Sequence, residues 1–115
     1  MTLATFAFDH PDHDVAAFKR AIANKLIYAV GKDPVAASRD DWLHAAAMAV
    51  RDQLVERWMR TTKAQYQQDV KRVYYLSAEF LIGRTFSNAL LALDIAPAVK
   101  QALADFDVDF YAMDE

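Results

Sequence analysis

Residues 71–93 read KRVYYLSAEFLIGRTFSNALLAL, and how this stretch divides decides the reading of the fold. Val73, Tyr74, Tyr75 and Leu76 are β-branched, aromatic and aliphatic in succession, the composition of a packed strand. No polar residue alternates with them. A strand over about 72–77 is therefore expected to be buried on both faces, as inside a parallel sheet. Residues 77–84, SAEFLIGR, bring a carboxylate, a glycine and an arginine close together, and residues 85–93 return to helical spacing. A strand feeding a polar turn and then a helix is how α/β enzymes place site residues at the carboxyl end of a strand. Glu79 and Arg84 are the best site candidates on this reading. The alternative is a local ion pair, or hydrogen bonds to the loop backbone.

The totals bound the rest. The 115 residues are enough for one domain at most, and 55% apolar with 25% charged residues is a globular composition. A net charge of −3 argues against a nucleic-acid surface or an anionic membrane as partner. There is no cysteine, so there is neither a disulfide framework nor thiol chemistry, and a cytoplasmic setting is expected. Residues 1–13 lack a basic region followed by an apolar core, so they do not read as a signal peptide but as a flexible arm. His10 and His13 stand among aspartates there, and a solvated loop without a framework holds a metal poorly.

Outward from the central stretch, helices dominate. Asp14 is a good N-cap for a helix over about 14–30, with Val15, Phe18, Ile22, Leu26 and Ala29 on one face; Gly31 and Pro34 end it. Ser38 and Asp41 have capping-box spacing and open a long helix over about 39–68. Leu43, Ala47, Val50, Leu54 and Trp58 form its expected apolar stripe, widened by Trp42, Ala45, Ala46 and Ala49, so it should pack on two sides. Glu56 and Arg60, one turn apart, make a surface pair. Further helices are expected over about 85–93 and 96–105, the second with Pro97 in its first turn. Residues 105–110 alternate acid and apolar side chains. They lack the glycine and closing glutamate of a calcium loop, so they read as a turn with partly buried hydrophobes. No catalytic constellation is complete, and two glycines cannot make a glycine-rich phosphate loop.

The block at 74–93 also resembles YYLS-x-EF-x-x-GRT-x-x-N, found near the amino end of the glycogen and maltodextrin phosphorylases. Upstream, Lys32-Asp33-Pro34, Ser38-Arg39-Asp40, Val50-Arg51-Asp52-Gln53-Leu54, Arg57-Trp58 and Arg60-Thr61 are similar to the same family in the same order. The likeness covers about residues 18–115. It implies a mostly α segment with one short β-strand, the opening portion of a doubly wound α/β domain in a much longer enzyme. That enzyme cleaves α-1,4-glucan with inorganic phosphate and releases glucose 1-phosphate. The resemblance implies pyridoxal phosphate on a lysine beyond this segment, with no cofactor bound by this chain itself. It places Tyr75, Glu79 and Arg84 near the active-site region, with Leu81 where mammalian members carry a tyrosine near the cofactor. Arg60 and Tyr66 match two residues of a nucleotide effector site at the homodimer interface, and the loop at 32–37 resembles the cap that lies across the neighbouring subunit. Thr62 and Lys63 stand where the regulated enzymes carry two glutamines, so AMP activation is not expected. Arg60 and Tyr66 would then serve the dimer contact or hold an anion weakly. The competing reading is a non-catalytic helical interaction or dimerisation module. On either reading the isolated chain is expected to be inactive and to associate or remain partly molten, because its strand and its broad apolar helix lack partners.

Overall fold

Asp14 starts the first helix by accepting from the backbone N–H of Ala16 at 3.1 Å, which satisfies one of the donors that a helix start leaves open. The computed structural model describes residues 14–79 and 84–113. The expected arm at 1–13 with its histidines, and Leu81, lie outside the described residues.

Helix α1 spans Val15–Asn24 and continues as a π turn over Lys25–Val30. Phe18, Ile22 and Leu26 repeat every fourth residue and are fully buried. The π turn alters the expected face. The wider turn brings Val30 against the core while Ala29 stays exposed. Gly31 then stops the helix at φ 75, a left-handed conformation that glycine adopts without a Cβ penalty. Its N–H and that of Lys32 both donate to the carbonyl of Leu26.

The connecting loop turns on Asp33, whose carboxylate accepts from Val35 N–H at 2.8 Å. Helix α2, Arg39–Gln68, begins with a complete capping box. Ser38 Oγ accepts from Asp41 N–H at 3.2 Å, and Asp41 Oδ2 accepts from Ser38 N–H at 2.9 Å. The bond from Ser38 N–H, and after it one that the Ser38 hydroxyl donates to the same oxygen at 2.9 Å, hold the Asp41 carboxyl below its ordinary pKa.

The stripe that α2 buries differs from the one its large residues suggest. Trp42, Ala45, Ala46, Ala49, Val50, Gln53 and Glu56 are buried, whereas Leu54 and Trp58 are 41% and 64% exposed. Three alanines in the buried stripe let α1 approach closely, and that close approach turns Leu54 and Trp58 to the outside. Helix α1 packs against both α2 and α4 (Ala96–Asp105). Two ion pairs bracket it: Lys25 with Asp52 of α2 at 3.1 Å, and Lys19 with Asp105 of α4 at 3.4 Å. The rings of Trp42 and Phe106 close the far corner with centroids 4.7 Å apart.

Helix α3, Thr85–Ala92, and α4 end in the same way. In each, an aspartate takes the left-handed position after the C-cap: Asp94 at φ 59 and Asp107 at φ 61. Ile95 N–H then returns to Leu90 O at 3.0 Å, and Val108 N–H to Leu103 O at 3.0 Å, the Schellman pattern. Leu90, Ile95 and Leu103 are buried, so each stop also seals an apolar contact. The expected turn at 105–110 holds only in part, since Phe110 is buried and opens a further short helix, α5, Phe110–Met113.

The expected strand at 72–77 does not form, and the described residues contain no sheet. Residues 70–77 run as irregular backbone on the surface, with Val73 94% and Leu76 90% exposed, the reverse of burial on both faces. The reason is the absence of a neighbour. A strand's N–H and C=O groups are satisfied by an adjacent strand, and among the described residues none is present to pair with it.

Asp107→Val, which forces a β-branched residue into the left-handed region, should destabilise the chain by about 1–2 kcal/mol. Asp107→Gly should not destabilise it; urea unfolding monitored by far-UV circular dichroism distinguishes the two. The carboxyls of Asp41 and Asp105 both sit below their ordinary values, Asp105 through its hydrogen bond from Gln101 and then the Lys19 charge. Their stabilisation is fully present above the unfolded-state carboxylate pKa and is lost as pH falls through the lowered folded values. The urea midpoint of the wild type should therefore drop through that acid range, and drop less steeply in Asp41→Asn.

Candidate functional site

Two groups of residues carry the chemistry of this surface. The first surrounds the carboxyl end of α2. Glu56 is 6% exposed and pairs with Arg60 one turn on. Arg60 itself is more than half exposed, so the pair joins a buried carboxylate to a cation at the surface. Asp69 ends the helix in the left-handed region at φ 48. The reversal returns the chain so that the Arg72 guanidinium lies 4.7 Å from the centroid of the Tyr66 ring, a cation–π contact at an exposed site. The Tyr66 hydroxyl, and after it that of Tyr74, stabilise the charged guanidinium and raise its pKa further. Tyr66 is 68% exposed and Tyr74 75% exposed. The result is an exposed cationic and aromatic surface, suited to an anion or to a second protein surface.

The second group lies on residues 75–84. Tyr75 is 80% exposed. The Ser77 hydroxyl donates to Glu79 O at 2.7 Å, and Glu79 N–H donates to Ser77 Oγ at 3.2 Å. This side chain–backbone turn leaves the Glu79 carboxylate exposed. Arg84 is the N-cap of α3 at φ 39 with no side-chain cap. Non-glycine residues held in this region commonly mark constrained or functional positions. Among the described residues no ion pair joins Glu79 to Arg84. The local pairing offered as an alternative to a site is therefore not made.

Sequence reasoning did not anticipate the contribution of Arg72, although Arg72 follows a polar helix end by a short reversal. It also did not anticipate Gln53 and Ser87, whose Nε2 and Oγ atoms are buried without a hydrogen-bond partner. A glutamine at an otherwise apolar helix position was the available signal for the first.

The described residues do not fit pyridoxal phosphate. A Schiff-base lysine needs an enclosed pocket and a cradle for the cofactor phosphate. Here Lys19 and Lys25 are committed to ion pairs, Lys100 lies 4.8 Å from the Phe110 ring centroid, and Lys32, Lys63 and Lys71 are exposed. Among the described residues there is no cluster of three or more metal-ligating side chains, and no helix is long and apolar enough to cross a membrane.

The comparisons with known proteins decide the relationship. The chain is 44% identical to the glycogen phosphorylase of Pasteurella multocida over 104 residues and 45% identical to that of Haemophilus influenzae over the same length. Each alignment covers 90% of this chain and 13% of the relative. By sequence, the chain is a segment of the glycogen phosphorylase family. The brain-form glycogen phosphorylase of Bos taurus aligns at 38% identity over 102 residues, 89% of this chain and 12% of the relative. No protein-family profile matches the chain. The phosphorylase segment thus spans about an eighth of the curated relatives it matches.

The exposure of residues 73–76 has a direct consequence in the isolated segment. Val73→Asp and Leu76→Asp should change its stability by no more than about 0.5 kcal/mol, because neither side chain is buried there. Thermal melts of the two variants check this.

Proposed function

We propose that this chain is the N-terminal segment of an α-1,4-glucan phosphorylase, an enzyme that splits glycogen or maltodextrin with inorganic phosphate to give glucose 1-phosphate. The observation that carries this reading is the close sequence match to glycogen phosphorylases along nearly the whole chain. The exposed segment supports it. Residues 73–76 present apolar and aromatic side chains on every side, which suits an inner strand of a parallel sheet completed by the rest of the enzyme. The doubly wound α/β domain belongs to that larger protein.

Within this reading Tyr75, Glu79 and Arg84 border the active-site region, and their exposed positions leave them open to the remainder of the domain. Pyridoxal phosphate, when bound, supplies proton transfer through its phosphate group. Residues outside this segment would hold it, consistent with the misfit of the lysines here. Arg60 and Tyr66 belong to a homodimer face on α2, whose outer side carries Leu54, Trp58 and Met59, each at least 41% exposed. Exposed apolar surface of this size marks a contact, and the loop at 32–37, with Val35 97% exposed, would lie across the second subunit. The enzyme would act in the cytoplasm.

The full-length protein should absorb as a pyridoxal enzyme and release glucose 1-phosphate from maltodextrin and phosphate; a preparation that does neither refutes the assignment. Trp58→Asp should leave it folded and convert dimer to monomer in sedimentation velocity. AMP should change its rate by less than about twofold, since Thr62 and Lys63 replace effector-site residues; activation of tenfold or more corresponds to over 1 kcal/mol of coupling and would contradict this.

A further inference from the structure

The Arg57 guanidinium donates from Nη2 to the carbonyl oxygen of Leu93 at 3.2 Å, joining residues 36 apart in the chain. Leu93 is the C-cap of α3. A helix C-terminus leaves carbonyl groups without intrahelical donors and carries partial negative charge, so a guanidinium there is doubly favoured. Arg57 is itself exposed, on α2 beside the buried Gln53 and Glu56, and the bond it makes to Leu93 is partly buried.

Helix α3 has eight residues, a rod of about 12 Å that does not bend. Its other end is Arg84, at φ 39, whose own side chain makes no capping hydrogen bond. Leu90 and Leu93 bury α3 on the core through non-directional apolar contacts, to which the hydrogen bond at Leu93 adds a directional constraint. The axial register of α3 is therefore set at its carboxyl end, and Arg84 follows.

We propose that Arg57 is a positioning residue for Arg84. Through the Leu93 carbonyl it fixes α3 against α2, and so ties the helix that presents the exposed Leu54–Trp58 face to the arginine at the amino end of α3. This rests on the reading above that Arg84 borders the active-site region.

The test is a double-mutant cycle in the full-length enzyme, with kcat and KM measured for wild type, Arg57→Ala, Arg57→Lys, Arg84→Ala and the Arg57→Ala/Arg84→Ala pair. Arg57→Ala should lower kcat about 10- to 100-fold with KM for phosphate and maltodextrin within about threefold of wild type. Arg57→Lys keeps a donor and should recover most of the rate. The pair should be no slower than Arg84→Ala alone, because Arg57 acts only through Arg84. Hydrogen exchange of the full-length protein gives a readout that needs no activity: Arg57→Ala should speed exchange across α3 while α1 stays protected. An unchanged kcat in Arg57→Ala, multiplicative losses in the pair, or unaltered protection of α3 would each overturn the proposal. A wild-type enzyme without phosphorolysis would instead overturn the assignment of function, and protection of α3 would then judge the Arg57 tie alone.

Discussion

The fold depends on how closely α1 approaches α2. Phe18, Ile22 and Leu26 present one fully buried row, and α2 meets it with Ala45, Ala46 and Ala49, whose short side chains leave room for the larger ones opposite. Everything else in the bundle is placed by this contact. It rolls α2 so that Leu54 and Trp58 face outward, it leaves the other side of α1 for α4, and it sets Lys19 and Lys25 within reach of Asp105 and Asp52. Substituting a leucine for Ala45 or Ala46 would force the two helices apart, because a close-packed interior has no spare volume.

A second constraint is backbone satisfaction. The helices close their own hydrogen bonds, and each end is dealt with locally. Ser38 and Asp41 cap the start of α2, Gly31 ends the first helix, and Asp94 and Asp107 turn α3 and α4 back on themselves. Residues 70–77 have no such local solution. Their side chains suit a pleated sheet, but a sheet is made between segments, and its hydrogen bonds cannot be met from within one. The segment consequently lies open on the surface while the helices around it are complete.

The same distinction separates the two functional groups. Those near the end of α2 are assembled within the segment: Glu56 orients Arg60, and the reversal at Asp69 carries Arg72 over Tyr66. Tyr75, Glu79 and Arg84 are each exposed, and the Ser77 turn orders the backbone at Glu79.

Local chemistry was legible without coordinates. The capping pair Ser38 and Asp41, the stop at Gly31, the proline in the first turn of α4 and the face Phe18–Ile22–Leu26 depend on interactions within a few residues, and the sequence by itself determined them. The register of EF-x-x-GRT and its flanks likewise sufficed to indicate the family. Tertiary structure alone decided which side of α2 is inside. A periodic row of large residues and a periodic row of alanines are equally good amphipathic faces, and the choice between them depends on the shape of the helix opposite. It also decided that Val30 replaces Ala29 at the core, that Arg57 reaches Leu93, and that residues 73–76 form no strand. Each of these depends on parts of the chain distant in sequence, and no periodicity or local propensity encodes what the distant part will be.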